Sequence, residues 1–164
     1  ALFVLWALST SPGITPLPPT FDNPWLWTHV LAGKLFLGAC LVSTSLALRL
    51  FVALTFSRVE EVHTRELDAT VWRFASLAFI FESVMLVAGA AWANDAWGRY
   101  WGWDPLETWA FLTWLLLGIV LHARLAWRLP RPLAWVGMCA VFVLAVLTFF
   151  GVPFFSVAPH KGVL

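Results

Sequence analysis

Four long apolar stretches constrain this chain more than any other feature: they run roughly from Trp27 to Phe56, Trp72 to Trp92, Thr108 to Trp127 and Leu133 to Phe154. Each is near or above the ~20 residues that cross a bilayer as helix. With 12% of the residues charged against 61% hydrophobic, the polar side chains are too few to cover a water-soluble surface. The expected fold is an all-α integral membrane protein, a bundle of four full transmembrane helices.

Ahead of these spans lies "ALFVLWALST", too short to cross a membrane by itself. It reads as a re-entrant piece, an interfacial anchor or the tail of a helix whose beginning is missing. No basic region precedes it, which argues against a signal peptide, and the chain reads as partial or abbreviated at its start. Residues 1–26 are therefore taken as a partial apolar segment with a loop, and residues 27–164 as the membrane domain. Cys40 and Cys139 stand alone in apolar runs, with no CxxC or CxxCH spacing, and read as packing residues.

Orientation follows from the loops. "RLFVALTFSRVEEVHTRELDATVWR" carries Arg49, Arg58, Arg65 and Arg73, and "ARLAWRLPRP" carries Arg124, Arg128 and Arg131. Basic loops stay cytoplasmic. The remaining connections and ends hold only Arg99 and Lys161 and are expected outside. His29 begins the first full span, a turn or so after the start signal "FDNPWLW", in which Asp22 or Asn23 can cap and Pro24 can fill the first turn. His160 follows the last span, so both histidines are expected at the outer surface. His122 lies about 22 Å along its helix from Glu107 at 1.5 Å per residue, inside the membrane toward the cytoplasm. His63, in "EEVHTRE", reads as a solvated surface residue.

Between the second and third spans, "WGRYWGWDPLETWAFLTW" crowds Trp97, Trp101, Trp103, Trp109 and Trp114 beside Arg99, Asp104 and Glu107. Two readings are open. The tryptophans form an interfacial belt, or they form a platform for a large flat ligand, since indole offers a broad rigid face with an N–H at its rim. Imidazole is a common axial ligand of haem iron, and a porphyrin needs a flat apolar surface. Asp104 and Glu107, where the loop enters a helix, read as caps of the third span.

"WANDAWGRYWGWDPLETWAFLTWLLLGIVLHARL" resembles the WWD signature of haem-handling proteins of cytochrome c maturation, the CcmC/CcmF/CcsA superfamily, and within it the CcsA type. Upstream, "PWLWTHVLAGKLFLGACL" resembles the family segment with a histidine at the outer helix end, and more loosely "FFGVPFFSVAPHKG" the stretch ending in a second external histidine. The CcmF type usually reads WDPxENASxMPW, so "WDPLETWAFLTW" favours CcsA. The resemblance implies that His29 and His160 are axial ligands of one external haem b (iron protoporphyrin IX). It implies that Trp97, Trp101, Trp103, Asp104, Pro105 and Trp109 form the loop holding the porphyrin, and that His122 marks a second, membrane-embedded haem position. The activity implied is that of a cytochrome c haem lyase (synthetase) component, presenting haem for thioether attachment to the CxxCH of an apocytochrome c.

Partners implied are the apocytochrome, membrane lipid, and a CcsB-type membrane protein or the missing helices of a longer chain, one of which would ordinarily supply the partner of His122. No nucleic acid is expected. The membrane implied is a bacterial inner membrane or a thylakoid, with the WWD loop, His29 and His160 on the external side. Leu106 stands where the family usually has Lys, and Arg99 where a small residue is common, so Arg99 is placed to replace that charge near a haem propionate. "APHKG" around His160 departs from the usual "GLHSYG". Two ionisable residues lie inside expected spans: Lys34 can snorkel to the outer interface, while Glu82, some 18 Å deep by helical rise, reads as a partner of an inner haem or a polar contact between helices. The rival reading is a haem b electron-transfer subunit with a permanent bis-histidine haem. Against it, His29 and His160 sit at external ends and not as a pair within the membrane.

Overall fold

The computed structural model describes residues 22–56 and 61–155. Among these there are four long apolar helices and no strand: α1 (Pro24–Phe56), α2 (Glu61–Trp97), α3 (Pro105–Ala126) and α4 (Arg131–Val146). A π-helical turn (Leu147–Gly151) and a short α5 (Val152–Phe155) continue α4. Counted through this continuation, all four are long and apolar enough to cross a membrane. The fold is an all-α integral membrane bundle, with the tryptophan-rich loop connecting α2 and α3. The N-terminal apolar segment, Arg58 and His160 lie outside the described residues.

The helices run past the apolar limits read from the sequence. Helix α1 begins at Pro24, where Asn23 caps by accepting the N–H of Trp25 at 2.8 Å and proline supplies the first turn. Most of the basic first connection is helical as well, up to Phe56 on one side and from Glu61 on the other. Glu and Arg favour helix as well as most apolar residues do, so hydropathy marks the hydrocarbon and not the helix end.

Small residues set the packing of α1 on α2: Ala32, Gly33, Ala39 and Ala47 are buried on one side, and Ala75, Ala78 and Ala88 on the other. In lipid, helix association gains no hydrophobic drive, and small side chains let backbones approach for dispersion and hydrogen bonds. Ser43 uses that approach to donate its hydroxyl to the Val71 carbonyl at 2.9 Å. Phe36, Trp135, Met138 and Val141 fill the centre, while Leu48, Val87, Ile119 and Val143 face outward, as a lipid-facing surface requires. Cys40 is buried and Cys139 half-buried, both as free thiols in the packing.

One end of the bundle is tied by charge. Asp68, buried on α2, accepts from the indole N–H groups of Trp72 (3.0 Å) and Trp135 (2.8 Å) and from Arg124 (2.9 Å). The other end carries the α2–α3 loop, and there Asn23 donates to Asp95 at 2.9 Å, holding the start of α1 to the end of α2.

The π-turn has a local cause. Pro153 has no N–H for the carbonyl four residues back, and its ring would press on that carbonyl. The turn ahead of it widens, and Val152 donates instead to the Leu147 carbonyl, five residues back. This widened turn presents Thr148, Phe149 and Pro153 together to the cavity described next.

Candidate functional site

At the loop end the bundle opens into a cavity of about 290 Å³ whose walls come from α1, α2, the loop, α3, the π-turn and α5. His29 of α1 lines it, packed against Met85 and Gly89 of α2, and Trp92 and Ala93 of the same helix line it too. Tyr100 and Trp101 of the loop, with Leu106, Glu107 and Ala110 of α3, close another side, and Thr148, Phe149 and Pro153 a further one. A groove of about 410 Å³ adjoins it between α2 and α3, sharing Leu86, Ala90 and Trp101 and adding Trp103, Phe111 and Trp114. Together they reach the size of cofactor sites, which fall at roughly 300–1,000 Å³, and their linings are overwhelmingly apolar.

His29 is oriented by the main chain. Its Nδ1 lies 2.8 Å from the Met85 carbonyl, and because a carbonyl can only accept, Nδ1 carries the proton. The ring's lone pair is then on Nε2, the arrangement that a metal-ligating imidazole requires.

The loop is held by reciprocal caps. Asp104 accepts from the N–H of Glu107 at 3.0 Å, and Glu107 accepts from the N–H groups of Asp104 (3.3 Å) and Gly102 (2.7 Å). Pro105 opens α3 in the first helical position. Just before the cap, Gly98 (φ 71°) and Trp103 (φ 55°) take left-handed backbone; for glycine this is free, whereas for tryptophan it stores strain that the capping box must hold. Trp101 packs edge-on against Trp103 (5.7 Å), and both meet Phe111 edge-on. Phe111 stacks on Trp114, and Trp114 on Phe79, with the Trp114 indole N–H donated to Ser83 at 2.9 Å.

The expected site residues are thus brought together only in part. His29 and Trp101 line the cavity, Trp103 lines the adjoining groove, and Asp104 and Pro105 shape the loop without lining either space. Trp97 packs edge-on against Trp92 at the end of α2, and Trp109 lies on an outer face of α3; neither lines the cavity or the groove. His122 sits about 22 Å along α3 from the cavity residue Glu107. There it lies edge-on to Trp127 and lines a separate groove of about 220 Å³ with Phe79, Trp114 and Gly118. Arg99 lays its guanidinium against Gly102, and Leu106 gives the cavity an apolar patch. Lys34 is exposed on the outer face of α1. Glu82 is fully buried one turn below Met85, and neither carboxyl oxygen has a hydrogen-bond partner among the described residues. Sequence reading missed Met85, Gly89, Tyr100, Thr148 and Phe149; the signals available were Gly89 itself, a glycine inside an apolar helix, and for Thr148 and Phe149 the proline shortly after them.

Whether these walls suit haem can be tested on one polar atom. The indole N–H of Trp101 is buried and has no acceptor among the described residues, although its ring lines the cavity. A buried donor without an acceptor costs about 1–3 kcal/mol, which a ligand carrying an acidic oxygen removes. An oriented imidazole, flat aromatic walls and a waiting donor together fit an iron porphyrin with its propionates.

Fold and site define a class: a multi-span membrane protein whose bundle opens, beside a tryptophan-rich loop, into a cavity with aromatic walls and a histidine in its lining. The chain belongs to the cytochrome C assembly protein family, whose model matches residues 1–160. Among relatives, the cytochrome c biogenesis protein CcsA of Chlamydomonas reinhardtii is 35% identical over 136 residues, covering 78% of this chain and 38% of that protein. CcsA of Prochlorococcus marinus is 41% identical over 107 residues, covering 63% and 33%. CcsA of Trachelium caeruleum is 31% identical over 182 residues, covering 88% and 58%. The chain thus spans between 33% and 58% of the length of these three relatives.

Proposed function

We propose that this chain acts in cytochrome c biogenesis as the haem-presenting part of a haem lyase, holding haem b at the loop end of the bundle. The observation that carries the reading is His29, oriented by the Met85 carbonyl at the edge of an aromatic-walled cavity. When bound, iron protoporphyrin IX supplies two vinyl groups, across which the two thiols of an apocytochrome CxxCH add to form thioether bonds.

Each residue then has a task. His29 would offer Nε2 to the iron and His160 would be its partner ligand; an imidazole pair would shield the iron from oxygen. Trp101 and Phe149 bear on the macrocycle faces, and the Trp101 N–H meets an acceptor such as a propionate. Asp104, Pro105 and Glu107 keep the loop in shape, while Trp103 covers the side toward lipid. His122, in its own groove, would belong to a second haem position within the membrane, with its other ligand supplied from outside this chain, as by a CcsB-type partner. In this reading the loop, His29 and His160 face the exterior of a bacterial inner membrane or the lumen of a thylakoid.

The test is co-expression of the complete protein and its membrane partner with an apocytochrome bearing CxxCH, followed by haem staining after denaturation. Covalent haem on the acceptor, lost in His29→Ala, is the expected result. Haem retained on this protein alone, with none on the acceptor, would support the electron-transfer reading instead.

A further inference from the structure

The contact between His29 and α2 is closer than two helices bearing ordinary side chains permit. The imidazole reaches the main-chain carbonyl of Met85, an oxygen already engaged within α2 by the N–H four residues on, that of Gly89. A carbonyl has two lone pairs, so it can accept a second donor from outside the helix. The direction of that approach passes the α-carbon of Gly89. A β-carbon there would lie 2.6 Å from His29 Nδ1 and 2.9 Å from Cε1, closer than real contacts allow. The imidazole is rigid and hydrogen-bonded on that edge, so it cannot yield as the tip of a flexible chain would.

We infer that Gly89 is a positioning residue for the haem site: its bare α-carbon is the notch through which His29 passes its Nδ1–H to the Met85 carbonyl and so turns Nε2 toward the cavity. This rests on the reading of His29 as an iron ligand. The notch does two things that the aromatic walls cannot. It selects which ring nitrogen carries the proton, and it fixes the plane of the ring against a helix backbone, the stiffest support the bundle offers. Hydrogen bonds to the second nitrogen of a ligating histidine raise its basicity, and their loss typically weakens a metal site about 10- to 100-fold. Glycine in a helix interior is less stable than alanine, so keeping it here needs a compensating gain. The hydrogen bond to Met85 provides one.

The experiment is a double-mutant cycle on the complete protein purified in lipid nanodiscs, with Gly89→Ala, His29→Ala and the pair together. Two quantities are read: the thermal midpoint of the haem-free protein and the absorption spectrum after haem loading. Gly89→Ala is expected to lower the midpoint when His29 is present and to leave it unchanged or raised in the His29→Ala background, where nothing meets the new methyl. Its loaded spectrum is expected to lose the six-coordinate low-spin form, with haem retention reduced about 10- to 100-fold and partly restored by added imidazole. Gly38→Ala on α1, where a β-carbon meets nothing within 4 Å, is the control: it should leave the loaded spectrum unchanged and keep or raise the midpoint. If Gly89→Ala alone fails to accumulate, recovery of yield in the double variant supports the notch. An equal loss in both backgrounds overturns it. If His29→Ala itself keeps the low-spin spectrum, the ligand reading falls and this inference with it. If His29→Ala loses that spectrum while Gly89→Ala keeps it, only the notch is refuted.

Discussion

Asp68 of α2 accepts the indole N–H of Trp135 from α4 at 2.8 Å, at the end of the bundle opposite the cavity. The same carboxylate takes the indole N–H of Trp72 and the guanidinium of Arg124, with Arg131 at 3.8 Å, so one buried side chain joins α2, α3 and α4. Arg124 also lies over the Trp72 ring, 5.6 Å from its centre.

Removing this acceptor strands several donors at once. Hydrogen bonds to a charged group contribute roughly 1.5–3 kcal/mol each, and a stranded buried donor adds its own desolvation cost. Asp68→Ala should lower the thermal midpoint sharply and reduce the protein recovered from membranes. Asp68→Asn, which keeps one acceptor oxygen, should lose less. Because the cluster is remote from the cavity, haem affinity of whatever folds should be unchanged. A normal melting curve for Asp68→Ala would show that the cluster does not hold this end of the bundle together.

Trp101 offers a separation of ring from N–H. Trp101→Phe keeps an aromatic face toward the cavity and deletes only the donor that has no acceptor among the described residues. Haem affinity, measured by titration of the haem-free protein, should weaken about tenfold, equivalent to roughly 1.4 kcal/mol. Thermal stability without haem should be equal or higher, since a buried unsatisfied donor has gone. Equal affinity in the two proteins would mean that the indole N–H does not meet the ligand.

The spans were legible because apolar length reports bilayer thickness directly, and the cap of α3 because Asp104, Pro105 and Glu107 form a local pattern whose partners are three residues apart. The family resemblance groups Trp97 and Trp109 with the site, and neither lines the cavity or the groove. Helical phase does not separate Trp109: at about 100° per residue it lies only about 60° from the centre of the inward face formed by Leu106, Ala110, Thr113, Leu117 and Val120, no further out than the cavity residue Glu107. Asp68 was hidden in a stretch read as a solvated basic loop, since its partners Arg124, Arg131 and Trp135 come from distant parts of the chain. The Met85 carbonyl has no sequence signature at all: any residue supplies a carbonyl, and only Gly89 four positions on betrays that something approaches it.

The capping box gives a final test of what the two acidic residues of the loop do. In the structure Asp104 is a helix cap, accepting the Glu107 N–H, and Glu107 secures the N–H groups of Gly102 and Asp104 in return. Any side chain with an acceptor oxygen at the right reach caps almost as well, so Asp104→Asn and Asp104→Ser should keep haem binding near its original level. Asp104→Ala should cost about 1 kcal/mol of local stability. It should also loosen Trp103, whose left-handed backbone is then held within the capping box by the Glu107 carboxylate alone, through the N–H groups of Gly102 and Asp104. Haem binding should then fall while the amount of protein in the membrane changes little, as the four spans do not depend on the loop. If Asp104→Asn and Asp104→Ser were as defective as Asp104→Ala, the carboxylate charge itself would be required, and Asp104 would have to act on the ligand or its iron and not as a cap.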